Sequence, residues 1–296
     1  DLFRFVDMKI ALGTVQFGLP YGLSNQFSHT DKLEAERILK YAYDKGIRML
    51  DTAPSYGNAE DVIGSFIRNH HSDKYWDVIT KTPHFKDNTI NGKQIKKLFE
   101  SFELSQERLG QETTYGLLVH DCNNLFLPGG EDLLKTMSKL KDEGFIKKIG
   151  VSIYDGSQID TILDNYSIDL IQLPVNILDQ RLLDGGQLKR LKKYGVEIHA
   201  RSVFLQGLLL MQQKNIPVWF ENIKDILNIF HVEARKRDMS VLQLALGFVQ
   251  SINEVDKIIV GVNTKEHLHE IINATSIRVN IDEFSNLSIN NSIFLN

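Results

Sequence analysis

Glu131-Asp-Leu-Leu-Lys-Thr-Met-Ser-Lys-Leu-Lys-Asp-Glu-Gly144-Phe-Ile-Lys-Lys-Ile-Gly-Val-Ser152 changes its hydrophobic period partway along, and that change decides the fold. Leu133, Leu134, Met137 and Leu140 recur at helical spacing and give one apolar face to bury. Gly144 stands where a helix end needs a left-handed cap. Ile149–Ser152 is then a short apolar run of the kind that parallel strands buried on both faces require. Outward from this unit the rhythm repeats. Ile95, Leu98, Phe99 and Phe102 make another amphipathic helix, and Gly46 and Gly195 sit between helix and strand as Gly144 does. Strands are predicted at Ile10–Thr14, Ile47–Asp51, Asp77–Lys81, Tyr115–His120, Ile149–Ser152, Leu170–Leu173, Val196–Arg201 and Lys257–Gly261. Eight such units predict a parallel (β/α)8 TIM barrel; an eight-stranded doubly wound sheet shares the same local signals.

The 296 residues suit one barrel, which normally takes about 250. No Pro/Gly-rich linker or break in composition divides the chain, so residues 8–296 are expected to form one domain. Residues 1–7, with two acids and one arginine, read as an N-terminal extension. A net charge of −4 gives no global pull toward nucleic acid or an anionic membrane. Cys122, the only cysteine, has no intramolecular disulfide partner. No apolar run approaches the roughly 18 residues of a membrane span, and a cytoplasmic location is expected. His70-His71 and His267-x-His269 lack partners at ligand spacing, so no metal site is predicted.

Catalytic groups of a barrel belong at the C-terminal ends of its strands. Asp51 ends the second predicted strand, Lys81 the third and His120 the fourth, while Tyr56 follows Asp51 by five residues. Each alone has an ordinary reading, as a turn cap, a solvated amine, a core imidazole or a loop-packing ring. Together they aim at one mouth. A phenol of pKa about 10 is a weak acid near neutrality unless a cation such as Lys81 stabilises its phenolate. Asp51 would hold that lysine, and His120 would orient a carbonyl oxygen. Such a set suits protonation of an alkoxide as it forms, with hydride supplied by a cofactor. The long Ser202–Trp219 segment after the seventh strand is a candidate site wall, and Met239–Ser251 reads as an extra helix.

Gly13-Thr-Val-Gln-Phe-Gly18, Asp51-Thr-Ala-Pro-Ser-Tyr-Gly57, Thr80-Lys81, Leu118-Val-His120, Lys148-Ile-Gly-Val-Ser152 and Gln172, in this order, resemble the aldo-keto reductase family from about Met8 to Asn273. The resemblance implies a (β/α)8 barrel, carbonyl reduction and a catalytic tetrad of Asp51, Tyr56, Lys81 and His120. It implies that Ser152 and Gln172 hold a nicotinamide carboxamide, although Ile153 replaces the usual asparagine. It also implies that Arg201-Ser202-Val-Phe-Leu-Gln-Gly207 wraps a pyrophosphate, with Arg201 in the place of a stacking aromatic. Beyond the eighth strand, Gly261, Asn263, Lys265, His267 and Glu270 match a cofactor-binding region. Lys265 and His267 point to NADPH, with NADH as the alternative, and Asn263 or Thr264 is the predicted helix cap.

The leading reading is a reductase of a small-molecule aldehyde or ketone. A second is an enzyme of sugar or polysaccharide precursor metabolism, in which Arg201, His84 and Trp219 would contact a phosphorylated or nucleotide-linked sugar. A third is a non-catalytic cofactor-sensing regulator, against which the intact Tyr56–Lys81 pair argues.

Overall fold

The computed structural model describes residues 8–23, 29–70 and 75–290. The predicted extension over 1–7, the last six residues of the expected 8–296 domain, and His71 lie outside the described residues. Eight strands, β1 (Ile10–Gly13), β2 (Met49–Asp51), β3 (Asp77–Lys81), β4 (Thr114–Val119), β5 (Ile146–Ser152), β6 (Leu170–Pro174), β7 (Glu197–Arg201) and β8 (Lys257–Gly261), pair in chain order. Every ladder is parallel, and Ile10–Gly13 of β1 registers on Ile258–Gly261 of β8. That last pairing closes a (β/α)8 barrel and removes the doubly wound alternative.

The helices are α1 (Val15–Gly18), α2 (Lys32–Asp44), α3 (Ala59–Asn69), α4 (Gly92–Leu109), α5 (Glu131–Asp142), α6 (Gly156–Asn165), α7 (Arg181–Asp184), α8 (Gln187–Lys193), α9 (Lys224–Lys236), α10 (Val241–Gln250) and α11 (Lys265–Asn273). α5 buries Leu133, Leu134, Met137 and Leu140, the face set by its sequence period. Gly46, Gly144 and Gly195 have φ of 90°, 85° and 73°, as a left-handed helix cap demands. β5 begins three residues before the predicted start. Lys147 and Lys148 join the ladder there, and their polarity hid them from a search for apolar runs.

Side chains alternate across each strand. Leu12, Leu50, Val78 and Ile198 join the large core under the helices, whereas Ala11, Met49, Ile79, Leu118 and Leu170 form a separate cluster filling the barrel. Toward the strand starts lies a polar knot. Tyr115 Oη donates to Glu197 Oε2 at 2.8 Å, Lys148 pairs with the same oxygen, and Nε2 of the buried His199 lies 2.6 Å from Glu197 Oε1. Burial pushes the Glu197 carboxyl up, but the bonds from His199 and Lys148 outweigh it and hold the group down at about 2. A depressed carboxylate stabilises the fold above its unfolded pKa of about 4.3, and this contribution is lost as pH falls through about 2. Glu197→Gln is therefore expected to lower stability at pH 7 by about 1–3 kcal/mol, with the gap to wild type narrowing below about pH 4. Chemical denaturation at a series of pH values checks this, and a gap that widens in acid contradicts it.

Candidate active site

The second, third and fourth strands carry their last polar side chains into one mouth. Lys81 Nζ donates to Asp51 Oδ1 and to the Thr52 carbonyl, both at 2.8 Å, with Lys81 only 3% and Asp51 5% exposed. Gln172 Nε2, from β6, donates to the same Asp51 oxygen at 2.6 Å. Two donors thus fix one carboxylate, and that carboxylate fixes the ammonium. Nζ lies 4.9 Å from the centre of the Tyr56 ring. His120 follows β4, its backbone N–H held by Thr82 Oγ1 at 3.1 Å. Its ring meets Tyr56 edge-on at 6.0 Å and packs against His84 at 4.1 Å.

Burial pulls the Lys81 ammonium toward neutrality, but Asp51 outweighs it and, with Tyr56, holds its pKa above the ordinary range. Lys81 is a permanent cation. The phenol departs from the sequence expectation. Burial raises the Tyr56 pKa and Lys81 pulls it back, yet burial prevails, so the group stays protonated beyond pH 10. His120 goes the other way. Burial, Lys81, His84 and Arg201 together hold it down at about 2, leaving a neutral imidazole. Its Nδ1 is buried without a partner among the described residues. The site therefore holds a fixed cation, a protonated phenol and a neutral imidazole, a set suited to stabilising and protonating oxygen.

Why Tyr56 sits where it does lies in two glycines. The loop after β2 closes on itself through Tyr56 N to Ala53 O at 3.0 Å and Ala59 N to Tyr56 O at 3.1 Å. Gly18, at the end of α1, presses on this loop so closely that a Cβ there would stand 1.9 Å from the Tyr56 carbonyl oxygen. Gly57 answers from the other side, with φ of 59° and the Gly18 carbonyl 2.4 Å from where its own Cβ would be. Gly18→Ala must displace the Tyr56 backbone, and an ångström of misplacement costs about 10²-fold in rate. A loss of that order in kcat, with the fold retained by circular dichroism, is expected; unchanged kcat would show that the contact does not position Tyr56.

Asp51, Tyr56, Lys81 and His120 line a cavity of about 1080 Å³, just above the usual range for small-molecule sites. Ser152, Gln172, Arg201, Ser202 and Gly207 line the same cavity, as do Gly261, Asn263, His267 and Glu270. Lys265 is not on that wall. Its backbone N–H donates to Glu34 at 2.7 Å and its Nζ lies 5.9 Å from the Tyr41 ring centre. Thr264 caps α11, accepting from His267 N, so two of the first amides there already have partners. Gly261 keeps the floor open, since a Cβ would stand 2.5 Å from Gln16, whose buried Oε1 has no partner. Trp219 is 67% exposed and does not line this cavity.

The wall after β7 is strained. Ser202, Leu205 and Gln206 have φ of 58°, 49° and 55°, and Gly207 has 93°. Left-handed backbone costs a non-glycine residue of order 1 kcal/mol or more and gathers at ligand sites. The extra helix expected over Met239–Ser251 is α10, and its start, Ser240–Gln243, also lines the cavity, a role the sequence reading did not assign. The Ser240-x-x-Gln243 capping box fixes where that helix begins. Cys122 is buried and its thiol pushed up to about 12 by burial, so it is inert. Among the described residues no three His, Cys, Asp or Glu side chains group as metal ligands, and no helix is long and apolar enough to cross a membrane.

A cavity at the strand ends that brings Asp51, Tyr56, Lys81 and His120 together marks a barrel enzyme. Over residues 9–291 the chain matches the Aldo/keto reductase family; it belongs to that family and is an oxidoreductase. It is 26% identical to L-glyceraldehyde 3-phosphate reductase of Escherichia coli O157:H7, over 86% of this chain and 83% of that one. It is 29% identical to aldo-keto reductase YhdN of Bacillus subtilis, over 59% of this chain and 52% of that relative, about half its length. The holo form of aldo-keto reductase AKR11C1 from Bacillus halodurans shares the fold, with a TM-score of 0.73 at 19% identity over 94% of this chain and 90% of that one.

Proposed function

We propose that the protein reduces a small-molecule aldehyde or ketone to the alcohol using NADPH, with NADH as the alternative, and that Tyr56 donates the proton. The observation that carries this reading is the juxtaposition of a protonated Tyr56, the Asp51-held Lys81 cation and the neutral His120 on the wall of a cavity of about 1080 Å³. A bound reduced nicotinamide supplies the hydride.

The remaining work falls to this chain. Ser152 and Gln172 stand beside the tetrad, where a carboxamide would be held, although Gln172 already spends one N–H on Asp51. Ser202, Gly207, Gly261, Asn263 and Glu270 continue the wall toward α11, and the preference for the 2′-phosphate rests on His267. His120 positions the carbonyl oxygen between itself and Tyr56. As negative charge grows on that oxygen, the Tyr56 proton moves to it, and Lys81 stabilises the phenolate left behind. Asp51 and Gln172 hold Lys81 through this change. Our reading further places one barrel domain over 8–296 in the cytoplasm. Fluorescence titration with NADPH and NADH in parallel tests the cofactor assignment. Saturable binding, tighter for NADPH, is expected; no binding of either would overturn it.

A further inference from the structure

The reacting end of the cavity is not electrically balanced. Lys81 and Arg201 both act electrostatically on Tyr56 and His120; of the two carboxylates among the described lining residues, Asp51 acts on Tyr56 and Glu270 stands on α11. His120, held neutral, offsets nothing. Asp51 is committed to Lys81 and Gln172. Among the described residues Arg201 has no carboxylate partner.

Its neighbours are instead neutral. Nη2 donates to the Ile153 carbonyl at 2.8 Å and Nη1 to Ser202 Oγ at 3.2 Å, while the guanidinium lies 4.5 Å from the Tyr154 ring centre. Nε is buried with no acceptor among the described residues. These contacts orient the guanidinium without neutralising it, and an uncompensated, partly buried charge carries a desolvation cost that an arriving anion offsets. The anion would gain a planar fork of donors already fixed in place. Ser202 Oγ accepts from Arg201, so its own O–H is free to donate to the same anion; the left-handed φ of 58° at Ser202 is part of the strained wall that holds it there. The charge is close enough to the proton donor to act on both Tyr56 and His120.

We infer that Arg201, with Ser202, forms an anion subsite beside Tyr56, and that the preferred carbonyl substrate carries a carboxylate or a phosphate. This rests on the reductase reading above. The anion is assigned to the substrate because a nicotinamide dinucleotide has its phosphates separated from the reacting ring by a ribose, whereas the Arg201 charge acts on Tyr56 and His120 themselves.

The experiment compares wild type, Arg201→Leu and Arg201→Lys on two matched pairs, 4-carboxybenzaldehyde against 4-methylbenzaldehyde and glyceraldehyde 3-phosphate against glyceraldehyde. NADPH affinity is measured in each variant, and 4-carboxybenzyl alcohol binding is followed by calorimetry without turnover. Arg201→Leu is expected to raise KM for the charged member of each pair about 10- to 150-fold, with neutral substrates and NADPH affinity changed less than about threefold. Arg201→Lys should recover part of the loss, and the carboxylated alcohol should bind wild type and not Arg201→Leu. Equal losses on charged and neutral substrates together with weakened NADPH binding would overturn the proposal and give Arg201 to the cofactor. No change in any quantity would also overturn it. Should wild type bind the carboxylated alcohol through Arg201 yet reduce no carbonyl, the subsite stands and the reductase reading falls.

Discussion

Tyr56→Phe is expected to keep no more than about one hundredth of wild-type turnover while NADPH affinity stays unchanged, because the substitution removes a transferable proton and leaves the ring in place. The ring packs edge-on to His120 and faces Lys81 through contacts a phenylalanine retains, so the architecture has no reason to move. The pH dependence gives the same account from another side. With Tyr56 raised above its ordinary value, its donor form persists past pH 10, and the basic fall in kcat/KM belongs there. With His120 at about 2, its protonation produces no acid limb above about pH 4. A variant retaining more than about a tenth of turnover under chemistry-limited conditions would remove Tyr56 from the role of acid.

Lys81→Met is expected to be comparably severe in rate, about 10²-fold or more, and to destabilise the protein as well. It strands Asp51, 5% exposed, with Gln172 as its remaining side-chain donor, and breaking a buried pair in this way costs about 3–5 kcal/mol. Activity must therefore be expressed per folded molecule, with thermal unfolding measured alongside. Asp51→Asn should be milder. The amide oxygen still accepts from Lys81, and the carboxylate acts on the phenol only through that lysine. If Asp51→Asn proved harsher than Lys81→Met in folded protein, the order of dependence drawn from carboxylate to ammonium to phenol would be reversed.

The barrel was legible because its period changes sit in contiguous sequence. Helix faces such as Leu133 to Leu140 and the caps at Gly46, Gly144 and Gly195 announce themselves locally, and closure follows from having eight units. β5 was legible only in part, since Lys147 and Lys148 serve a ladder without being apolar. The four residues of the tetrad could be found because strand ends point at one mouth. Their wiring could not. Gln172 reaches Asp51 across 121 positions, a contact that register and barrel closure create and no local pattern encodes. The sign of the Tyr56 shift was equally hidden, because it depends on how far burial exceeds the pull of Lys81. Left-handed Leu205 and Gln206 contradict the preferences of their residue types, so propensity argues against the conformation the wall adopts. Gly18 was visible as a motif residue, but its purpose, a backbone contact with Tyr56, appears only when α1 and the β2 loop meet.

The central claim, that this cavity joins a hydride from a nicotinamide to a proton from Tyr56 at one carbonyl, is tested most directly by isotope transfer. Wild-type protein is incubated in ordinary water with NADPH deuterated at both C4 positions and an excess of 4-carboxybenzaldehyde, and the alcohol is analysed by mass spectrometry. One deuterium on the carbinol carbon of essentially every alcohol molecule, with the signal falling about 100-fold in Tyr56→Phe at equal time, is the predicted result. Alcohol without deuterium, or no alcohol from protein that demonstrably binds NADPH, would contradict it.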